Sequence, residues 1–239
     1  MAAYSGPRDD RGLPHGRGEL LVPGAFDYKG SFSHGTFHGR GTMTRWYRGA
    51  VAFEYTGQFV AGKRHGVGSV TLPLRREKYE GDWRDDEMCG IGTHEGPTGT
   101  YTGDMERGKF HGFGTLARAD NTGYRGLWAD GVFHGPGRLV DADGATHDGQ
   151  WIRGVQQGRS TVTRLTGQKM RREVVDGRVV SEVVISSPST ALLLTCVSLD
   201  LPRPTLAQLL GPEHSPELSL DSVVSDDPPV GLGVIRHSC

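Results

Sequence analysis

Residues 101–116 read Tyr-Thr-Gly-Asp-Met-Glu-Arg-Gly-Lys-Phe-His-Gly-Phe-Gly-Thr-Leu. Tyr101, Gly103 and Met105 alternate along the chain, so on a β-strand their side chains share one face. The closing Gly-Phe-Gly-Thr-Leu alternates in the same way on a following strand. Between the two lies Glu-Arg-Gly-Lys, in which Gly108 is free to adopt the positive φ that tight hairpin turns need. The segment therefore predicts one β-hairpin.

The same pattern recurs along the chain at a nearly fixed interval. The opening aromatic residue returns at intervals of 27, 24, 22, 23 and 23 residues, with a histidine in the sixth place: Tyr28, Tyr55, Tyr79, Tyr101, Tyr124 and His147. A glycine follows two positions later each time, and a large apolar residue stands two positions beyond it. The hairpin closes on His-Gly in four cases and on Cys-Gly or Gln-Gly in the other two. A periodic unit of this length predicts a repeat architecture.

Stacking explains why the unit has to recur. A single hairpin is marginally stable in water, but stacked hairpins cover each other's apolar rows and form a continuous sheet. Strands lie about 4.8 Å apart, so six hairpins form a ribbon roughly 60 Å long. The predicted fold class is all-β, an elongated single antiparallel sheet of stacked hairpins. The repeats account for the 37 glycines among 239 residues, which are therefore no sign of disorder.

This pattern closely resembles the MORN repeat, with its Tyr-x-Gly-x-Trp opening, its turn glycine and its closing His-Gly-x-Gly followed by an apolar residue. The resemblance covers about residues 13–160, a half repeat at His15-Gly16-Arg17-Gly18 followed by six full ones, the last degenerate. It is specific for the fold and much less so for activity. For a stand-alone array it implies a protein-interaction scaffold in the cytoplasm, associated with the cytoskeleton or the cilium.

Composition sets the outer segments apart from this array. Residues 1–12 are polar and carry Gly and Pro, which favours a flexible N-terminus. Residues 161–185 contain Asp176-Gly177 between β-branched residues, which predicts a β-hairpin that covers the edge of the sheet. Residues 186–239 are rich in Ser and Pro and hold 6 Asp and Glu against 2 Lys and Arg, so that tail is predicted to be mostly disordered.

The row of large side chains is the predicted partner-binding groove. A long groove with an aromatic row suits an extended or helical peptide of a protein partner. Its members are Tyr28, Phe32, Tyr55, Phe59, Tyr79, Trp83, Tyr101, Met105, Tyr124, Trp128 and Trp151. Between the first and second full repeats the chain carries about four extra residues, in the stretch Arg45–Gly49. This stretch has two interpretations: a longer hairpin tip that packs its own rings, or an exposed Trp-Tyr-Arg contact site.

No motif for catalysis, cofactor or metal is found. Histidines of successive hairpins lie about 10 Å apart, too far to share a metal ion, so a structural role is expected for them. The Gly-x-Gly pairs have neither the following helix nor the lysine of a phosphate loop. Cys89 replaces a histidine of this series and has no base beside it. Only 79 residues follow Ser160, and they lack the motifs of the kinases and methyltransferases to which MORN arrays are often joined. The expectation is a protein that is not an enzyme, with no cofactor and no metal.

Charge separates the remaining partner classes. Residues 1–160 hold 20 Lys and Arg against 19 Asp and Glu, so no net field attracts nucleic acid or anionic lipid. Nucleic-acid binding is therefore not expected. Peripheral binding to phospholipid membranes, a role proposed within the MORN family, is the alternative, with local patches at Lys63-Arg64 and Arg75–Lys78. The oligomeric state is left open.

Overall fold

The computed structural model describes residues 2–186, and every regular element in that part of the chain is a β-strand. Sixteen strands form one antiparallel sheet whose strand order is the order of the sequence. The predicted all-β sheet of hairpins is thereby confirmed. Between residues 2 and 186 there is no helix long and apolar enough to cross a membrane. The tail predicted for residues 186–239 lies, apart from Ser186, outside the described residues.

The described chain falls into two compact units, residues 2–97 with 105–108 and residues 98–104 with 109–186. The first eight strands are β1 (Ala3–Ser5), β2 (Gly16–Val22), β3 (Phe26–Ser33), β4 (Thr36–Tyr47), β5 (Ala50–Val60), β6 (Lys63–Leu72), β7 (Glu77–Arg84) and β8 (Glu87–Gly96). The last eight are β9 (Gly99–Glu106), β10 (Lys109–Ala117), β11 (Gly123–Ala129), β12 (Val132–Val140), β13 (Thr146–Ile152), β14 (Val155–Thr163), β15 (Lys169–Val175) and β16 (Arg178–Ser186).

Two-residue turns close the hairpins within the repeats. Both turn residues have positive φ, as at Arg107 (54°) and Gly108 (73°), which is the type I′ geometry that matches the twist of paired strands. Gly108 thus adopts the conformation expected for it. The N–H of the second turn residue then bonds to a carbonyl of the preceding repeat, for example Gly131 N to Phe110 O at 3.3 Å. Successive turns are therefore joined by backbone hydrogen bonds as well as by side-chain packing.

The core of each of the first five full repeats is a tyrosine ring lying on a pair of glycines. Gly126 and Gly137 face each other across β11 and β12, and the Tyr124 ring covers both. A Cβ built on Gly137 would lie 2.1 Å from the Tyr124 oxygen, so only glycine leaves room for the ring. The Tyr124 hydroxyl donates to Leu127 O at 3.0 Å, and the ring stacks on Phe133 with 3.8 Å between centroids. Neighbouring repeats supply the remaining cover, because Trp151 meets the same ring edge-on at 5.6 Å.

The N-terminal residues are more ordered than expected, and the flexible segment predicted for residues 1–12 is corrected here. Ala3–Ser5 is a strand that pairs with β2. The Tyr4 ring lies on Gly18, and its hydroxyl donates to Pro7 O at 2.7 Å, which repeats the tyrosine bond of the later hairpins. Tyr4-Ser5-Gly6 stands 24 residues before Tyr28 and was a recognisable signal. The sequence pattern did not reveal this strand, because the loop of residues 7–14 replaces the large apolar residue and the tight turn that follow the tyrosine in the later repeats.

At the other end, β15 and β16 form the hairpin indicated by Asp176-Gly177, whose φ values are 49° and 74°. One face of β15 is buried through Met170 and Val174. Every residue of β16, in contrast, is exposed. The predicted edge hairpin is therefore present, with its outer strand open to solvent in the part of the chain that is described.

Candidate partner-binding groove

All eleven side chains predicted to line an aromatic groove are buried, with at most 6% of their surface exposed. They are Tyr28, Phe32, Tyr55, Phe59, Tyr79, Trp83, Tyr101, Met105, Tyr124, Trp128 and Trp151. These residues do not form the open groove predicted from the sequence, because their side chains are the hydrophobic core. Each tyrosine is sealed below by two glycines, and the rings of the next repeat cover the edges of Tyr28, Tyr55, Tyr101 and Tyr124. Partner binding stays a prediction, and it needs a different surface.

The position that stacks on the tyrosine ring varies along the array, and one repeat places a charge there. Phenylalanine occupies it in three repeats, as in the Tyr101–Phe110 stack at 3.6 Å. In the second full repeat the residue is Arg64, which is 5% exposed and lies 4.5 Å above the Trp83 ring. Its Nε donates to Asp86 Oδ1 at 3.0 Å, and its Nη2 donates to Asp86 O at 3.1 Å.

Asp86, in the turn of the next hairpin, stabilises Arg64 at the position where three other repeats have phenylalanine. It occupies the second turn position, where the other repeats have glycine, and it has a φ of 74°. A positive φ strains a residue with a side chain. The carboxylate offsets that strain by holding Arg64, whose backbone N–H it also accepts at 3.0 Å. Arg64 and Asp86, which both depart from the repeat pattern, therefore form one interacting pair.

A groove of about 870 Å³ lies across β2 to β7, on the face of the sheet opposite the tyrosine rings. The backbone of the glycine pairs forms its floor. Because side chains alternate between the two faces, the residues between the glycines form its walls. We call this surface the polar groove, and its lining side chains are Arg17, Glu19, Lys29, Arg40, Thr42, Thr56, Gln58, Val67, Ser69 and Glu80. None of these residues was predicted as a site, because alternation alone marks this face only as polar.

Hydroxyls and charges of both signs line the polar groove. Thr42 and Thr56 face each other on adjacent strands with their hydroxyl oxygens 3.0 Å apart. Lys29 forms an ion pair with Glu19 on the neighbouring strand, so these two charges largely cancel. Arg17 and Arg40 are exposed and, within residues 2–186, form no ion pair. Two strand spacings separate them, about 10 Å. The polar groove therefore presents two arginine side chains, from strand positions about 10 Å apart, beside a row of hydroxyls.

The hairpin of β4 and β5 partly supports the first interpretation of Arg45–Gly49, a longer hairpin tip that packs its own rings. The tip is indeed a turn, with positive φ at Arg48 and Gly49. The Trp46 indole N–H donates to Asp27 Oδ2 at 3.2 Å, and Arg48 lies 5.2 Å above the Tyr47 ring. Both rings nevertheless stay exposed, Trp46 at 43% and Tyr47 at 55%. The tip packs its own residues and still presents two aromatic rings to solvent.

The histidines and the thiol of the repeat positions give little chemistry. His38, His111 and His134 are exposed on their strands, while His65 has a buried Nδ1 that meets no hydrogen-bond partner among residues 2–186. Burial raises the pKa of the Cys89 thiol, which lowers its thiolate fraction and so its reactivity. Neither group offers an activated nucleophile or base.

Comparison with known protein families agrees with this geometry. The MORN repeat family matches five segments, residues 28–45, 55–73, 79–100, 101–123 and 124–146. Each of the five begins at one of the tyrosines whose ring lies on a glycine pair. No curated protein matches the chain. Five matched repeats, each with the hairpin and the tyrosine core described above, identify this chain as a MORN-repeat protein.

Proposed function

We propose that this chain is a non-catalytic interaction scaffold whose polar groove binds an extended acidic segment of a protein partner. MORN repeats are in general modules for interaction with proteins or membranes. The observation that carries the proposal is the pair Arg17 and Arg40, exposed on one groove wall and without an ion-pair partner in residues 2–186. Lys29, in contrast, forms an ion pair with Glu19, so its charge is already largely compensated.

The spacing of the two arginines favours one backbone conformation of the partner. In a polyproline II segment every third side chain points the same way, about 9 Å further along the axis. Two carboxylates three residues apart therefore match the roughly 10 Å between Arg17 and Arg40. The hydroxyls of Thr42, Thr56 and Ser69 lie on β4, the strand of Arg40, and on the next two strands, β5 and β6, where they can bond to a solvated peptide backbone.

The mixed charge of the polar groove favours a protein over an anionic membrane. An anionic lipid surface attracts clusters of positive charge, at about 1 kcal/mol per Lys or Arg. The groove holds Glu19 and Glu80 among its basic residues, and Lys78 of the predicted basic patch is held by Glu80 at 3.0 Å. The proposal includes a cytoplasmic setting with the cytoskeleton or the cilium, which immunofluorescence of the endogenous protein checks.

Fluorescence anisotropy tests the proposal with two labelled peptides of identical composition. The first is Ser-Asp-Pro-Ser-Asp-Pro-Ser, which places the carboxylates three residues apart, and the second has both Asp residues adjacent. The full chain should bind the first peptide more tightly, and Arg17→Glu or Arg40→Glu should reduce that affinity at least tenfold. Arg153→Glu is the matched control, since Arg153 is an exposed turn residue outside the groove.

Equal binding of the two peptides, or a loss in Arg153→Glu equal to that in Arg40→Glu, contradicts the proposal. Flotation with phosphatidylserine vesicles at physiological salt provides the second arm. Strong, salt-sensitive flotation that Arg17→Glu and Arg40→Glu abolish would replace the protein partner by a membrane. No flotation is the expected result.

A further inference from the structure

Asp9, His15 and His34 converge at the N-terminal end of the sheet. Asp9 lies in the loop after β1, His15 directly precedes β2, and His34 is the first residue of the turn between β3 and β4. The Asp9 Oδ2 and His34 Nδ1 atoms are 2.7 Å apart, and the His15 and His34 rings lie 4.9 Å apart. One potential ligand atom from each residue falls within 4.8 Å of the other two.

Backbone hydrogen bonds fix the Asp9 carboxylate and the main chain beside the two histidines. The Asp9 Oδ1 atom accepts the N–H groups of Arg11 and Leu13, at 3.0 and 2.9 Å, which leaves Oδ2 directed at His34. The His15 N–H donates to Pro7 O at 3.0 Å. Beside His34, the N–H of the next turn residue donates to Pro14 O at 2.8 Å. The loop and the turn are thus joined by main-chain contacts that do not involve the three side chains.

The chemistry of the cluster is two imidazole nitrogens and one carboxylate oxygen. We propose that Asp9, His15 and His34 form a Zn²⁺ site with three protein ligands and one water. Zinc bonds to nitrogen and oxygen are about 2.0–2.2 Å long, so tetrahedral ligand atoms lie roughly 3.3–3.5 Å apart. The distances in the cluster, from 2.7 Å to at most 4.8 Å, bracket that value.

The fourth zinc position is open to water. The His34 side chain is 70% exposed, whereas that of Asp9 is only 11% exposed. The carboxylate is therefore a fixed, partly desolvated ligand, and the imidazole beside it faces solvent. Asp9 also holds backbone donors with its second oxygen, the outer-shell arrangement that orients carboxylate ligands in metal sites. A bound ion would tie the loop of residues 7–14 to the first hairpin turn and so secure the first strands of the sheet.

A simple ion pair between His34 and Asp9 explains part of this arrangement. It accounts for the 2.7 Å contact, but it gives no role to His15, whose ring lies beside that pair at a tilt of 59°. Under the zinc proposal His15 is a ligand of equal standing. The effect of changing His15 on metal affinity therefore separates the two explanations.

Titration of the full chain with Zn²⁺ by calorimetry, and with Co²⁺ by visible absorption, tests the site. A tetrahedral Co²⁺ spectrum and one Zn²⁺ bound per chain at this site are expected. His15→Gln, His34→Gln and Asp9→Asn should each lower the Zn²⁺ affinity at least tenfold, since even outer-shell changes cost 10- to 100-fold. His38→Gln is the matched control, because His38 is an exposed histidine on β4 that is not part of the cluster. Zn²⁺ affinity that is unchanged in His15→Gln refutes the proposal.

A second measurement needs no variant. Diethyl pyrocarbonate modifies accessible imidazoles, and mass spectrometry locates the modified residues. Zn²⁺ should protect His15 and His34 against the reagent while His38 and His134 stay reactive. Equal reactivity of His15 with and without Zn²⁺ overturns the proposal, even if the ion binds elsewhere on the chain.

Discussion

A methyl group added beneath one tyrosine tests the account of the core most directly. In Gly137→Ala the new Cβ would lie 2.1 Å from the Tyr124 oxygen and 2.4 Å from Cζ. Contacts this short are not tolerated, so the ring must move. Tyr124 is fully buried between Phe133, Trp128 and Trp151, which leaves it no vacant space nearby.

The magnitude follows from what the displaced ring loses. Overpacking a well-packed core costs about 1–3 kcal/mol, and removing the contacts of a buried aromatic ring costs about 3–5 kcal/mol. The hydrogen bond from the Tyr124 hydroxyl to Leu127 O, 3.0 Å long, contributes about a further 1 kcal/mol. We expect Gly137→Ala to lower the free energy of unfolding by about 3 kcal/mol.

A double-mutant cycle in urea isolates the contact with the ring. Tyr124→Ala removes the group that the new methyl would strike, so Gly137→Ala should cost little in that background. It should even stabilise by up to about 0.5–1 kcal/mol, because alanine loses less conformational entropy on folding than glycine. The coupling between the two changes is therefore expected to be about 3–4 kcal/mol.

The chain already contains a related pair of changes. In the sixth repeat His147 replaces the tyrosine, and Ser160 stands where the other repeats have the second glycine. The serine is 4% exposed and takes part of the space that a ring would fill. A cost below about 0.5 kcal/mol for Gly137→Ala, or an equal cost with and without the Tyr124 ring, would refute the reasoning.

Three further changes are expected to have measurable effects. Burial lowers the pKa of His94 from 6.5 to about 4, so the unfolded chain binds the proton more tightly and stability is lost as the pH falls from about 6.5 to 4. His94→Leu should remove up to about 3 kcal/mol of this acid-induced loss in the free energy of unfolding, measured by urea unfolding at pH 7 and pH 4.5. An unchanged pH dependence in the variant would show that His94 does not cause the loss. Asp86→Gly should lower the free energy of unfolding by about 2–4 kcal/mol, because Arg64 loses its carboxylate partner even though glycine suits the turn. Arg64→Phe combined with Asp86→Gly should restore the free energy of unfolding to within about 1 kcal/mol of the parent. If the double change is no better than the single one in thermal denaturation, the pair does not act as a unit. Tyr47→Ser should leave the melting temperature within about 2 °C, since the side chain is 55% exposed, and a larger drop would show that the tip supports the sheet.

Local patterns in the sequence were enough to predict the hairpins, their period and their turns. Alternation places Tyr101, Gly103 and Met105 on one face whatever the rest of the chain does. The positive φ of Gly108 likewise depends on the two residues of its own turn. Such features are set within a few residues, so they can be recognised in a single repeat and confirmed by recurrence.

Burial, by contrast, was decided by the tertiary structure. The Tyr124 ring was correctly placed on the apolar face, yet its cover comes from Trp151, which is 27 residues further on. One hairpin by itself shows an aromatic row. Only the stacking of the next hairpin shows that this row is sealed, so that the accessible groove lies on the other face of the sheet.

The exceptional residues also depended on contacts distant in sequence. Arg64 and Asp86 are 22 positions apart, and His34 is 25 positions from Asp9. Pattern analysis detects what repeats, whereas these residues depart from the pattern and acquire their roles from a partner in another hairpin. The periodic residues of the sequence therefore determined the architecture, and the tertiary structure decided which face carries the accessible groove and which irregular residues meet in the Arg64–Asp86 pair and the proposed zinc site.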